Sequence, residues 1–211
     1  MEDTLYIVSR NKAPLGEETG GTGCWCEHNI LTQDGKFLLE KWALGVRRCH
    51  CGLFIVHQYS GGDRLLTPQG EDLVPFQASS ITCETPGAII GKDRHGFDKV
   101  VGYDAGEAVF RVRRTEDNLV NLISGKGEIL LPDWYVSIDD TKRLLKDRFL
   151  KVTVPEGITF LDWTTGKPIC PETFEKDRFD WDRHYDEDYL CGVKHRGRWK
   201  VLTTKGEVKA L

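Results

Sequence analysis

The hexapeptides GEDLVP at residues 70–75 and GEILLP at 127–132 decide how this chain is read, because two such similar stretches point to a repeated unit. Aligning the sequence on them gives five segments. They are LTQDGKFLLEKW from Leu31, LTPQGEDLVPFQ from Leu66, ISGKGEILLPDW from Ile123, DWTTGKPICPET from Asp162 and LTTKGEVKAL from Leu202. Their glycines, Gly35, Gly70, Gly127, Gly166 and Gly206, follow one another at intervals of 35, 57, 39 and 40 residues. Glycine supplies the positive φ that a tight corner demands. A proline five residues later (Pro75, Pro132, Pro171) lacks a ladder donor and ends the short strand that follows.

A second run precedes each later copy: LFIVHQY at 53–59, AVFRVRR at 108–114, RFLKVTV at 148–154 and YLCGVKH at 189–195. Apolar and polar residues alternate along them, the pattern of a half-buried strand. The stretches between these runs and the next copy (60–63, 115–118, 155–157 and Arg196-Gly197) carry turn residues. Each unit is therefore a three-stranded meander of roughly 35 to 40 residues. The fold class is all-β: imperfect hairpin or meander repeats stacked as a solenoid or closed into a propeller-like or barrel-like array.

The 57-residue interval holds either a degenerate copy around Gly106 or an insertion. SIDDTKRLLKDR at 137–148, with aspartates available as caps, predicts one short helix. The expected organisation is an N-terminal segment of residues 1–28, a strand plus a glycine-rich loop, followed by a repeat domain over 29–211.

The last copy, GRWKVLTTKGEVKAL at 197–211, resembles the WG-containing repeat family of bacterial proteins. Trp199 matches the family tryptophan, Gly206-Glu207 its second turn, and Pro75, Pro132 and Pro171 its proline. Lys200 stands where the family has glycine, and earlier copies carry Arg64-Leu65, Leu119-Val120 or Thr159-Phe160 in place of Trp-Gly. The resemblance spans residues 29–211. It implies β-hairpin modules set side by side in a bacterial or phage protein, with a binding surface and no catalytic residues to carry over.

Composition narrows the classes. A chain of 211 residues can bury a sizeable core. Residues 172–188 hold eight acids against three bases, more than the net charge of −4 for the whole chain, so one acidic segment sets the sign. That balance argues against nucleic acid as a partner. The start, MEDTLYIVSR, lacks the basic beginning and long apolar run of a signal peptide, and no window has the apolar length of a membrane span. Seven cysteines without an export signal read as reduced thiols in the cytoplasm.

Two constellations could carry chemistry. Alternate residues of a strand share a face, so Cys24 with Cys26 and Cys49 with Cys51 could present four thiolates to a tetrahedral zinc. The competing reading is four small apolar side chains filling strands. Cys83, Cys170 and Cys191 read as core residues. Asp180, Asp182 and His184 recur at every second position beside Trp181. They could present one face to a divalent cation or act as an acid and base, or simply form a solvated acidic loop. Phe174, Phe179, Trp181 and Tyr185 give the same stretch an aromatic side.

The glycine-rich GEETGGTG at 16–23 lacks the Lys-Ser or Lys-Thr of a phosphate loop. No nucleophile elbow occurs, and His28, His50, His57, His95 and His195 have no nucleophile partner identifiable in sequence. The basic KHRGRWK at 194–200 falls on a hairpin turn.

The reading is a non-catalytic protein-interaction or ligand-binding scaffold with another protein as its partner, no membrane contact and no cofactor. The first alternative is a zinc-stabilised module or metal-dependent enzyme built on Cys24, Cys26, Cys49 and Cys51 or on Asp180, Asp182 and His184. The second is an immunity or inhibitor-type protein whose acidic 172–188 segment meets a basic partner.

Overall fold

A computed structural model describes residues 4–11, 26–141, 144–178 and 186–210. They form an all-β chain of antiparallel strands, and no α-helix occurs among them. The chain divides into two compact units, one of residues 1–117 with 124–128, the other of 118–123 with 129–211.

The first unit holds β1 (Tyr6–Asn11), β2 (Cys26–Leu31), β3 (Gly45–Arg48), β4 (Phe54–His57), β5 (Asp63–Leu66), β6 (Ala78–Lys92) and β7 (Asp98–Arg114). β1 pairs with β2 from Tyr6 opposite Leu31 to Asn11 opposite Cys26, so a strand of the N-terminal segment shares a sheet with the first repeat strand. β3 to β7 follow one another as a meander. The second unit holds β8 (Val120–Ser124) except Ser124, then β9 (Ser137–Ile138), β10 (Phe149–Val154) and β11 (Gly157–Asp162). It continues with β12 (Lys176–Arg178), β13 (Tyr189–His195), β14 (Arg198–Thr203) and β15 (Val208–Ala210). β9 to β11 form a three-stranded meander and β12 to β15 a four-stranded one.

The aligned glycines make one recurring turn. Gly35, Gly70, Gly127, Gly166 and Gly206 all have positive φ, from 65° to 88°. In the first copy the Thr32 amide donates to Lys36 O (2.9 Å) and the Gly35 amide to Thr32 O (3.0 Å). The same two bonds recur from Thr67, Ser124 and Thr203, the hydrogen-bonding of a three-residue hairpin loop with glycine in the left-handed region. The hydroxyl at the first position locks each turn, accepting from the amides of Lys36 (3.0 Å), Glu71 (3.2 Å), Glu128 (3.2 Å) and Glu207 (3.1 Å).

The fourth copy departs from the sequence alignment. Its closing bond runs from the Asp162 amide to Lys167 O (2.9 Å), so the turn is one residue longer. Asp162, not Trp163, stands where the other copies have Thr or Ser, and its carboxylate accepts the Thr164 amide at 2.9 Å.

Beyond the glycine a very short strand forms. Leu38, Leu73 and Leu130 each donate to the opposite strand at 2.8 Å, and Ile169 does so at 3.0 Å. The chain then loops out and rejoins the ladder at Ala43, Ala78, Tyr135 and Phe174. Both ends of the excursion are anchored by burial: Leu39, Val74, Leu131 and Cys170 at its start and the four rejoining residues at its end are all buried. Pro75, Pro132 and Pro171 sit inside the excursion, where a missing amide costs nothing.

Two copies carry a further device that the alignment passed over. Asn29 donates to Leu39 O (3.0 Å) and accepts the Leu39 amide (3.1 Å). Asn121 likewise donates to Leu131 O (3.1 Å) and Asp133 O (2.8 Å) and accepts the amides of Leu122 and Leu131. Each is a fully buried amide that replaces the ladder where the chain leaves it. Asn six residues before the turn glycine is the sequence signal.

The 57-residue interval is an insertion and not a degenerate copy. Gly106 lies inside β7 without a turn, and β6 and β7 lengthen to 15 and 17 residues as one two-stranded ribbon turning at 93–97. The expected helix at 137–148 is absent from its described residues. Ser137 and Ile138 are strand β9, while Leu145 pairs with Phe149 across a tight turn in which Lys146 and Asp147 both have positive φ (52° and 54°). Backbone pairing to β10 won over the local helical pattern, because Leu145 and Phe149 are needed against the apolar core of this unit. That core is built from Phe149, Phe160, Phe174, Leu190 and Leu202, and the first unit packs Ile30, Leu39, Phe54, Val56 and Leu66. A fully buried side chain of this size contributes about 1.5–3 kcal/mol.

Candidate functional site

The β6–β7 ribbon is built in two parts. Near its base Ile81, Phe110 and Val112 are buried, and Arg111 forms an ion pair with the buried carboxylate of Glu84 at 2.7 Å. Gly87 then brings the strands too close for any side chain: a Cβ there would stand 2.0 Å from Asp104 O, and its φ is +69°. Beyond that point the large apolar residues are exposed. Phe97 is 71% exposed, Val101 60% and Ile90 58%, and Ile89, Val100 and Tyr103 are exposed as well. The tip is ordered by Asp93, whose carboxylate accepts the amides of His95 (2.8 Å) and Phe97 (3.0 Å). β-branched and aromatic side chains are thus concentrated on this ribbon, whereas ordinary surfaces scatter exposed apolar residues singly.

A thiol cluster lies beside the ribbon. Residues 49–53 repeat the recurring turn, with the Cys49 amide donating to Leu53 O (2.8 Å) and the Gly52 amide to Cys49 O (2.9 Å). Cys49 takes the first position, where other copies have a hydroxyl. Its thiol is in hydrogen-bonding contact with those of Cys51 and Cys83, and these contacts with burial hold it protonated far above the usual thiol range. Cys51 moves the other way, down to about 6. The hydrogen bond from Cys49 is the largest cause, aided by the Leu53 amide against the cost of burial. His50 stacks on Tyr103 of β7 at 5.0 Å between ring centroids, which seats the hairpin tip on the ribbon. Cys49 is buried, and Cys51 and Cys83 are partly exposed.

The first unit also has a cleft of about 670 Å³, lined by Glu40, Lys41 and Trp42 of the first excursion with Tyr59 and Arg64. Arg10 lies over the Trp42 ring at 4.3 Å while holding Glu27 at 2.8 Å.

The sequence candidates fall as follows. Asp180, Trp181, Asp182 and His184 lie outside the described residues, as does Cys24. Cys26 donates to Asn11 Oδ1 (3.5 Å) on the facing strand, and the thiol in contact with the Cys49-Cys51 pair is that of Cys83, which the sequence had placed in the core. Among the described residues no three His, Cys, Asp or Glu side chains form a group that could hold a metal ion. Cys170 and Cys191 are buried, and burial pushes both thiols up.

Ser9 and His28, directly opposite on β1 and β2, hydrogen-bond at 3.0 Å on an exposed face. His57 is held by Asp63 at 2.7 Å. The basic stretch 194–200 forms the β13–β14 hairpin, with Arg196 and Gly197 at positive φ and Arg178 lying 4.5 Å from the Trp199 ring centre. No helix among the described residues is long and apolar enough to cross a membrane.

The chain matches no protein-family model and no curated protein.

Proposed function

We propose that this protein is a non-catalytic, repeat-built scaffold whose β6–β7 ribbon receives an extended segment of a partner protein. The observation that carries the reading is the gathering of six exposed large apolar side chains, Ile89, Ile90, Phe97, Val100, Val101 and Tyr103, on one protruding ribbon. An apolar, open-edged ribbon is suited to strand addition. The register of β6 with β5 is confined to Ala78, so the distal backbone of the ribbon lies beyond that ladder.

The resemblance to WG-containing repeats supports a binding role, as does the fact that the recurring residues are turn formers and core anchors. Contacts between copies within each unit support a stacked array of hairpin repeats, solenoid or closed. Each turn glycine abuts the residue three places beyond the preceding turn glycine: Gly70 meets Leu38, Gly127 meets Leu73, Gly166 meets Leu130 and Gly206 meets Ile169.

The test is binding by the Ile90→Asp, Phe97→Asp, Val101→Asp triple variant. Loss of partner binding with an unchanged melting temperature supports the proposal. Undiminished binding, or an apolar surface that serves only self-association in analytical ultracentrifugation, overturns it.

A further inference from the structure

We infer that the cleft between the first excursion and the β4–β5 hairpin is a binding site for a neutral mono- or disaccharide, built on residues other than those of the ribbon. Its volume of about 670 Å³ lies within the range of small-molecule sites. Leu38, Val56 and Leu66 line it together with two aromatic side chains, Trp42 and the exposed Tyr59.

The Trp42 wall is built in advance of any ligand. Arg10 stands directly opposite Glu27 across β1 and β2, and its Nε donates to the buried Glu27 carboxylate at 2.9 Å while a second guanidinium nitrogen stands 2.8 Å from the same oxygen. That pair holds the guanidinium 4.3 Å from the centre of the Trp42 ring, and Phe37 packs on the ring at 5.3 Å between centroids. A side chain fixed before binding loses little freedom when a ligand arrives.

The lining arises where the first copy leaves the repeat pattern. Five places beyond the turn glycine, where later copies have Pro75, Pro132 and Pro171, this copy has Glu40, followed by Lys41 and Trp42. The side chains of Glu40, Lys41, Gln58 and Ser60 line the cleft and make no hydrogen bond or ion pair among the described residues. They offer a ligand both donors and acceptors.

The charges at the cleft cancel. Glu40 and Lys41 are adjacent and opposite, Arg64 donates to Asp72 at 2.8 Å, and Arg10 is matched by Glu27. The lining therefore carries no single-sign field that would select an anion or a cation. A pyranose meets these terms: it is uncharged, it has an apolar C–H face for an aromatic wall, and its hydroxyls both donate and accept at the polar rim.

The test screens the full chain against neutral mono- and disaccharides, with the matching sugar phosphates alongside, by saturation-transfer NMR and calorimetry. At least one neutral saccharide should bind with a Kd of about 1 mM or tighter. Tyr59→Ala and Gln58→Ala should each weaken it at least about tenfold without lowering the melting temperature, whereas Lys205→Ala in the last turn should leave it unchanged. No binding across the panel, tighter binding of the sugar phosphates than of the neutral sugars, or affinity that survives both Tyr59→Ala and Gln58→Ala would overturn the assignment.

Discussion

Gly206 faces Ile169 so closely that a Cβ on the glycine would stand 2.0 Å from the Ile169 carbonyl oxygen. Gly127 stands in the same relation to Leu73 O, at 2.5 Å. Gly35 has the same kind of turn and a similar φ of +82°, yet nothing lies within 4 Å of its Cβ position. One residue type thus answers two demands, a left-handed turn in every copy and close approach to the preceding copy in the later ones.

The two demands separate by mutation. Gly35→Ala bears only the backbone cost and should lose about 1–2 kcal/mol. Gly206→Ala must also displace backbone and should lose at least about 3 kcal/mol. Chemical denaturation of both variants checks this, and equal losses would mean that the contact between copies carries no weight.

Asn121 satisfies backbone groups that no strand reaches. Asn121→Ala leaves the Leu131 amide and carbonyl and the Leu122 amide buried without their partner, and should cost about 2–4 kcal/mol. Thr32→Ala, at an exposed turn, should cost less than about 1 kcal/mol. Thermal melts of the two variants give the comparison.

Asp162 gives the fold an acid-sensitive joint. Hydrogen bonds from Arg148 and Thr164 hold its carboxyl at about 2, below the ordinary 3.8, so the folded state favours the charged form. Its contribution is complete above the ordinary value and is lost as pH falls through about 2. Wild type should therefore exceed Asp162→Asn in stability near neutral pH, with the gap shrinking between about pH 4 and pH 2. A gap that stays constant over that range would show that the charge is not the source.

Most of the fold was legible because its turns use a short vocabulary. Thr or Ser, glycine three places on, then Lys or Glu encode a turn by local chemistry alone, and all five glycines adopt the expected φ. The upstream strands were visible in position, since β4, β7, β10 and β13 overlap the runs read as strands, but the half-buried pattern expected of them fails at β4 and β13, which are buried along most of their length. What failed depended on distant partners. Leu144 and Leu145 fit a helix locally, but Leu145 pairs with Phe149, and only the packed core shows that. The ribbon was hidden because its strands, freed from the repeat spacing, leave no glycine turn to count until Gly96. In the thiol cluster, Cys49 and Cys51 stood out as a pair, whereas Cys83 reaches them from a strand more than thirty residues away in sequence.

The distal ribbon should be dispensable for folding. Replacing residues 88–103 with Asn-Gly removes mainly exposed side chains and should cost at most about 1 kcal/mol. Circular dichroism and a melting curve measure this, and collapse of the first unit would assign the ribbon a structural role instead.

The most direct measurement places a photo-crosslinking amino acid at position 97 on the ribbon tip, or at position 205 in the last turn as control, in cells of the native host. A discrete adduct with another protein from position 97 but not from position 205 is expected. An adduct only with a second copy of this chain, or equal crosslinking from both positions, would contradict the assignment of the ribbon as the partner-binding surface.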